Sequence, residues 1–164
     1  MKRMYKTLSL AIIGIVSVTS AMAQTKDAAE NKRIVESRNY IFKAQMASPQ
    51  SGKSIQLTSE YDLTISGDTV VAYLPYFGRA YSAPIDPSQG GIKFTAVKPA
   101  YIVEPIKKGW EISIKPREAN DVSQVNLTIF DNGNATLTIT SVNRQPITFL
   151  GYVYEAKADK KKGF

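Results

Sequence analysis

From Asn39 onward, apolar and polar side chains alternate with a period of two, and turn residues interrupt the alternation repeatedly. Runs of Val, Ile, Thr and Tyr with that period are half-buried strands, because successive side chains of a strand point to opposite faces. Three hairpins can be registered from the residues. At Gly67-Asp68, glycine stands at the first central position, as a type II′ turn requires. This pairs Ile65 with Val70, Leu63 with Ala72 and Tyr61 with Leu74 on one face, and leaves Asp62, Thr64 and Tyr73 on the other. At Asp131-Asn132-Gly133, a two-residue turn would set Leu127 against Thr138 and mix the faces. A three-residue loop with Gly133 left-handed sets Leu127 against Leu137 and Val125 against Ile139, so the apolar pattern selects the longer loop. At Lys107-Lys108-Gly109 the same loop type is preferred. It gathers Ile102, Glu104, Ile106, Trp110, Ile112 and Ile114 on one face, whereas a two-residue turn would move Glu104 to the face opposite Ile114.

Further strands are expected at Tyr40–Ala47, Gly91–Ala96 and Ile147–Glu155. Residues 25–38 carry no Gly or Pro, and Ala28, Ile34 and Val35 are their main apolar side chains. This spacing predicts a helix, or an ordered lead-in, docked by a narrow stripe. The fold class is therefore mainly β: an antiparallel sandwich or barrel of about eight to nine strands with one N-terminal helix.

The ends change the picture of the whole. Met1 to Lys6 is positively charged, Leu8 to Val18 is apolar, and Ala21-Met22-Ala23 has the small-x-small pattern of a signal-peptidase site. Cleavage is expected between Ala23 and Gln24, and the apolar run is well short of the ~20 residues that span a bilayer. The expected organisation is a signal peptide over residues 1–23, a β domain over 24–156 and a basic tail over 157–164. The mature chain is expected to be periplasmic or secreted, with no membrane span. The net charge of +7 loses three positive charges with the signal, and four more lie in the tail against Asp159. Residues 24–156 keep 14 Lys and Arg against 13 Asp and Glu, so the body is close to neutral. A neutral body with a solvated basic end gives no nucleic-acid surface.

The chain has no histidine and no cysteine. Ser-His-Asp and Cys-His triads, thiolate or imidazole metal sites and disulfides are therefore excluded. No Gly-rich phosphate loop precedes a helix, and no metal or cofactor is expected. Carboxylates remain. Glu60 and Asp62 share the outer face of a strand and read as solvated. Glu104, placed on an apolar face by the preferred register, must be paired, protonated or functional. Asp68-Thr69-Val70 at a hairpin tip resembles the acceptor of bacterial O-glycosylation and makes Thr69 a candidate glycan site. Asn126-Leu127-Thr128 and Asn134-Ala135-Thr136 match the eukaryotic sequon, but a strand location makes them uninformative. Trp110 and Tyr152-Val153-Tyr154 read as packing positions, with an aromatic cleft as the second reading.

The densest signal is Tyr73-Leu74-Pro75-Tyr76-Phe77-Gly78-Arg79-Ala80-Tyr81-Ser82-Ala83-Pro84. It is too rich in Pro and Gly for regular structure and too aromatic for an ordinary solvated loop. Together with Gly90-Gly91-Ile92-Lys93-Phe94, the Leu74 to Pro84 segment resembles the signature of the exported bacterial domain of unknown function 4251 family. The resemblance covers the mature chain and implies a protein of Gram-negative envelopes. It brings no activity, ligand or catalytic residue. As a crossover between strands, the segment either caps the fold with its rings or contacts a ligand.

These readings favour a non-enzymatic envelope protein that binds a small apolar ligand inside a barrel, or a partner at the aromatic loop. Candidate ligand-binding residues are Tyr76, Phe77, Arg79, Tyr81, Glu104 and Trp110. The alternatives are a hydrolase using Glu104 and Asp86, and an assembly component working through its sheet edges.

Overall fold

The computed structural model describes residues 29–81, 90–117 and 121–156. The expected signal peptide, the basic tail, Ala28 and Asp86 lie outside the described residues. Helix α1 covers residues 29–37 and turns Asn31, Ile34 and Val35 inward, one face at helical spacing. It stops at Arg38, whose φ of 50° is the left-handed conformation common after a helix C-terminus.

Ten strands follow: β1 (Asn39–Pro49), β2 (Ile55–Gln56), β3 (Asp62–Ser66), β4 (Thr69–Leu74), β5 (Ile92–Val97), β6 (Ala100–Ile106), β7 (Gly109–Lys115), β8 (Val122–Phe130), β9 (Asn134–Ser141) and β10 (Ile147–Glu155). Nine of them form one antiparallel path, β5-β4-β3-β1-β10-β9-β8-β7-β6, and β2 pairs β1 off that path.

A short link dictates how this sheet bends. β5 and β6 lie at opposite ends of the path, yet only Lys98 and Pro99 join them. Nine flat strands would hold their outer members about 38 Å apart. Three trans peptide steps reach about 11 Å at most. The sheet therefore rolls up until its two edges meet at this corner, and it forms a curled half-barrel. It cannot close by pairing those edges. In an antiparallel path of nine, the first and last strands run in the same sense, and parallel neighbours need a long crossover. At the corner, Lys98 has φ 49° and its N–H donates to the Asp68 carbonyl at 2.6 Å.

The inward face is a packed core. Tyr40, Phe42, Leu63, Ile65, Leu74, Ile112, Ile114, Leu127, Ile129, Leu137, Ile139 and Phe149 are all fully buried. Each such side chain contributes about 1.5–3 kcal/mol of burial. Among the described residues, these side chains occupy the inward face, the place expected for a small apolar ligand inside a barrel.

Two expected registers hold. Ile65 faces Val70 and Leu63 faces Ala72 across Gly67-Asp68, and Gly67 alone of the pair has positive φ, 57°, as a type II′ turn demands. Leu127 faces Leu137 and Val125 faces Ile139 across a three-residue loop with Gly133 at φ 80°. Tyr61 departs from its expected partner: it precedes β3 and its ring stacks on Tyr73 of the outer face, at 5.8 Å between centroids.

The third hairpin corrects the preferred register. Ile106 faces Gly109 and Glu104 faces Glu111, so the turn holds two residues, Lys107 and Lys108. Glu104 lies exposed on the outer face with Ile102 and Ile106, while Tyr101 and Val103 face Ile114 and Ile112 on the inner side. Gly109 is the reason. It is not a loop residue but the first residue of β7, and a Cβ there would sit 2.0 Å from the Ile129 carbonyl oxygen of β8. The close approach of a third strand requires the glycine, and the carboxylate leaves the apolar face, where it would have lacked a partner.

Candidate functional site

The crossover from β4 to β5 is described as far as Tyr81 and again from Gly90. It docks on the link between β9 and β10, at the end of the half-barrel where β1 finishes; the Ala80 and Arg144 backbones form a bridge there. The Tyr81 N–H donates to the Asn143 carbonyl at 2.8 Å, and the Gln145 N–H to the Arg79 carbonyl at 3.0 Å. Between these contacts the Tyr76 ring folds across Gly78, where a Cβ would lie 2.5 Å from the phenol oxygen. The glycine is needed for that approach. The Tyr76 hydroxyl donates towards the Arg79 and Gln145 carbonyls, at 2.8 and 3.0 Å. Burial pushes its phenol up, with Arg144 and the Gln145 contact pulling against it.

Arg144 ties three segments together. Its guanidinium stands 5.2 Å over the Tyr76 ring, its Nε is 2.7 Å from Asp121 Oδ2, and its Nη1 donates to the Gly91 carbonyl at 2.9 Å. Asp121 in turn accepts the Asn143 N–H at 3.2 Å through Oδ1 and the Val142 N–H at 2.8 Å through its carbonyl. The planar fork of an arginine suits this arrangement, because it donates in several fixed directions at once. The Gln145 side-chain oxygen is buried beside this network without a hydrogen-bond partner.

The anchoring divides the expected ligand residues. Tyr76 is committed to the clamp. Phe77, 43% exposed, and Tyr81, 73% exposed, are displayed, and Arg79 is exposed beside them. Glu104 and Trp110 are not part of this group. They lie on β6 and β7 near the Lys107-Lys108 turn, whose Lys108 carbonyl accepts the Asp131 N–H at the other end of β8 and β9. Trp110 is half-buried against Pro105 and Ile129, as a packing residue. Glu104 stands in solvent, without the apolar surroundings that the preferred register gave it. Thr69 is half-buried at the start of β4, beside the exposed Asp68.

The family model for DUF4251, a domain of unknown function, matches residues 22–153. The chain belongs to this family. The crystal structure of a DUF4251 family protein from Bacteroides eggerthii DSM 20697 is similar, with a TM-score of 0.54 at 16% identity. The match covers 79% of this chain and 87% of that one. At that identity the likeness shows the shared fold. No curated protein matches the chain.

Two features of this DUF4251 chain escaped the sequence reading. One is the Asp121–Arg144 pair, whose partners are brought together only by the sheet. The other is a phenol pair at the helix-bearing end: Tyr40 Oη is 2.7 Å from Tyr101 Oη, and Arg38 stands 4.5 Å over the Tyr101 ring. Burial pushes the Tyr40 phenol well up, reinforced by Tyr101 and opposed by Arg38. A shallow cleft of about 200 Å³ lies nearby between α1 and the β8–β9 loop, but its Asn31 amide is occupied in donating to the Asp131 carbonyl at 2.8 Å. Among the described residues there is no group of three or more acidic side chains placed to hold a metal, and no helix is long and apolar enough to cross a membrane.

Proposed function

We propose that this DUF4251 chain is an exported, non-enzymatic binding protein of the cell envelope, and that it contacts an apolar ligand or a partner protein through the crossover loop. One observation carries the reading. The Asp121–Arg144–Tyr76 clamp ties residues 76–81 of the loop to the β9–β10 link while Phe77 and Tyr81 stay exposed. A rigid loop that displays aromatic rings loses little conformational entropy on binding. Export is supported by the charged start, apolar run and Ala21-Met22-Ala23 of the N-terminus.

Native mass spectrometry of the protein purified from its own envelope tests the reading. A retained ligand or partner is expected on the wild type, and it should be lost from the Phe77→Ala, Tyr81→Ala double variant at unchanged melting temperature. Retention by the double variant would exclude the loop. The intact mass of the same sample should correspond to a chain that starts at Gln24.

A further inference from the structure

The outer face of the half-barrel is not uniform. On β8 and β9 it presents Asn126, Thr128, Thr136 and Thr138, a polar strand surface with a ring, the 37% exposed Phe130, only at the end of β8. Across β10, β1, β3, β4 and β5 the same face carries a lateral row in which each residue is the cross-strand partner of the next: Tyr152, Lys43, Asp62, Tyr73 and Lys93. A second tyrosine stands beside each ring of the row. Tyr61 stacks on Tyr73 at 5.8 Å and 22°, and Tyr154 lies 6.0 Å from Tyr152 at 38°. Tyr73 is 48% exposed and Tyr154 40%. The two ring pairs are three strand spacings apart, about 14 Å. The ground between them is polar: Asp62 is half-buried there, and the Lys43 ammonium is 2.6 Å from Glu60. Lys93 stands 5.0 Å over the Tyr73 ring.

We infer that this row is a binding platform for a neutral oligosaccharide. A pyranose ring has apolar C–H faces, which lie flat on aromatic rings, and an equatorial rim of hydroxyls that both donate and accept. The row supplies both elements, with the Tyr152 and Tyr73 rings three strands apart, the Lys43 ammonium and Asp62 carboxylate between them, and Lys93 beyond Tyr73. Two lysines and two acids make the patch neutral, so it favours neither a polyanion such as nucleic acid nor a cationic partner. The separation of the ring pairs suits a chain of a few sugar rings. This surface is distinct from the crossover loop, and the inference does not depend on the loop's role.

Isothermal titration of the protein with cellohexaose, maltohexaose and mannohexaose, with polygalacturonate as the anionic control, tests the assignment. At least one neutral hexaose should bind. Tyr73→Ala with Tyr152→Ala should weaken it about tenfold or more, because two ring contacts are lost. Tyr73→Phe with Tyr152→Phe keeps the rings and should retain most of the affinity, which separates stacking from a folding defect. Phe77→Ala with Tyr81→Ala should leave this binding unchanged. Absence of binding by all three neutral probes would overturn the inference. So would preferential binding of polygalacturonate, or affinity that survives loss of both rings.

Discussion

The half-barrel is capped at its two ends by different physics. Where β1 begins, α1 buries Ile34 and Val35, and one side chain, Asn31, orients it on the β8–β9 loop. Where β1 finishes, the crossover loop brings a half-buried Tyr76 and is held by directed polar contacts from Arg144, Asp121 and Gln145. Apolar burial is non-directional, so a helix cap excludes water without fixing every angle. Hydrogen bonds weaken steeply as geometry departs from the optimum, so the polar clamp fixes the angles of residues 76–81. A structural cap needs only the first kind of force. A cap that must hold Phe77 and Tyr81 out in water needs the second.

Substitutions at the two ends should separate these forces. The largest loss is expected from Ile34→Ala, about 2–4 kcal/mol by urea unfolding, because the cavity lies at the core. A loss near zero would mean that α1 contributes nothing to capping the half-barrel. Arg144→Ala should cost less, about 2 kcal/mol, because the Asp121–Arg144 pair is only partly buried, with side chains 25% and 13% exposed. Its additional signature is a freed loop, visible as sharpened, shifted NMR resonances of Phe77 and Tyr81. Tyr76→Phe keeps the ring and loses the hydroxyl, and should cost about 1 kcal/mol.

A pH dependence belongs to the helix-bearing end. In the unfolded chain the Tyr40 phenol titrates near 10. In the fold its value is raised, chiefly by burial. The folded state therefore holds the proton to higher pH than the unfolded state. The stabilisation is fully present below pH about 10 and is lost as pH rises beyond it. Urea unfolding between pH about 8 and about 11 should show this fall, and Tyr40→Phe should make it shallower. An equally steep fall in the variant would assign the alkaline sensitivity to other groups.

How much of this was legible in the sequence varies with the range of the interaction involved. The Gly67-Asp68 and Asp131–Gly133 hairpins were readable because apolar residues on both strands admit one register. Lys107-Lys108-Gly109 was misread because the glycine answers to the Ile129 carbonyl of another strand rather than to its own turn. The aromatic crossover stood out by composition, but its clamp did not, since Asp121 and Arg144 are ordinary loop residues until the sheet brings them to Tyr76. The tyrosine row shows the same limit. Each strand's alternation was visible, but the order that sets β10 beside β1 was not.

Native-state hydrogen exchange at the Tyr81 and Gln145 amides tests the central claim most directly. If the crossover is a rigid, clamped platform, both amides exchange slowly in the wild type. In Arg144→Ala both should lose protection while the amides of α1 keep theirs. Unprotected exchange at Tyr81 and Gln145 in the wild type, or protection that survives Arg144→Ala, would contradict the account.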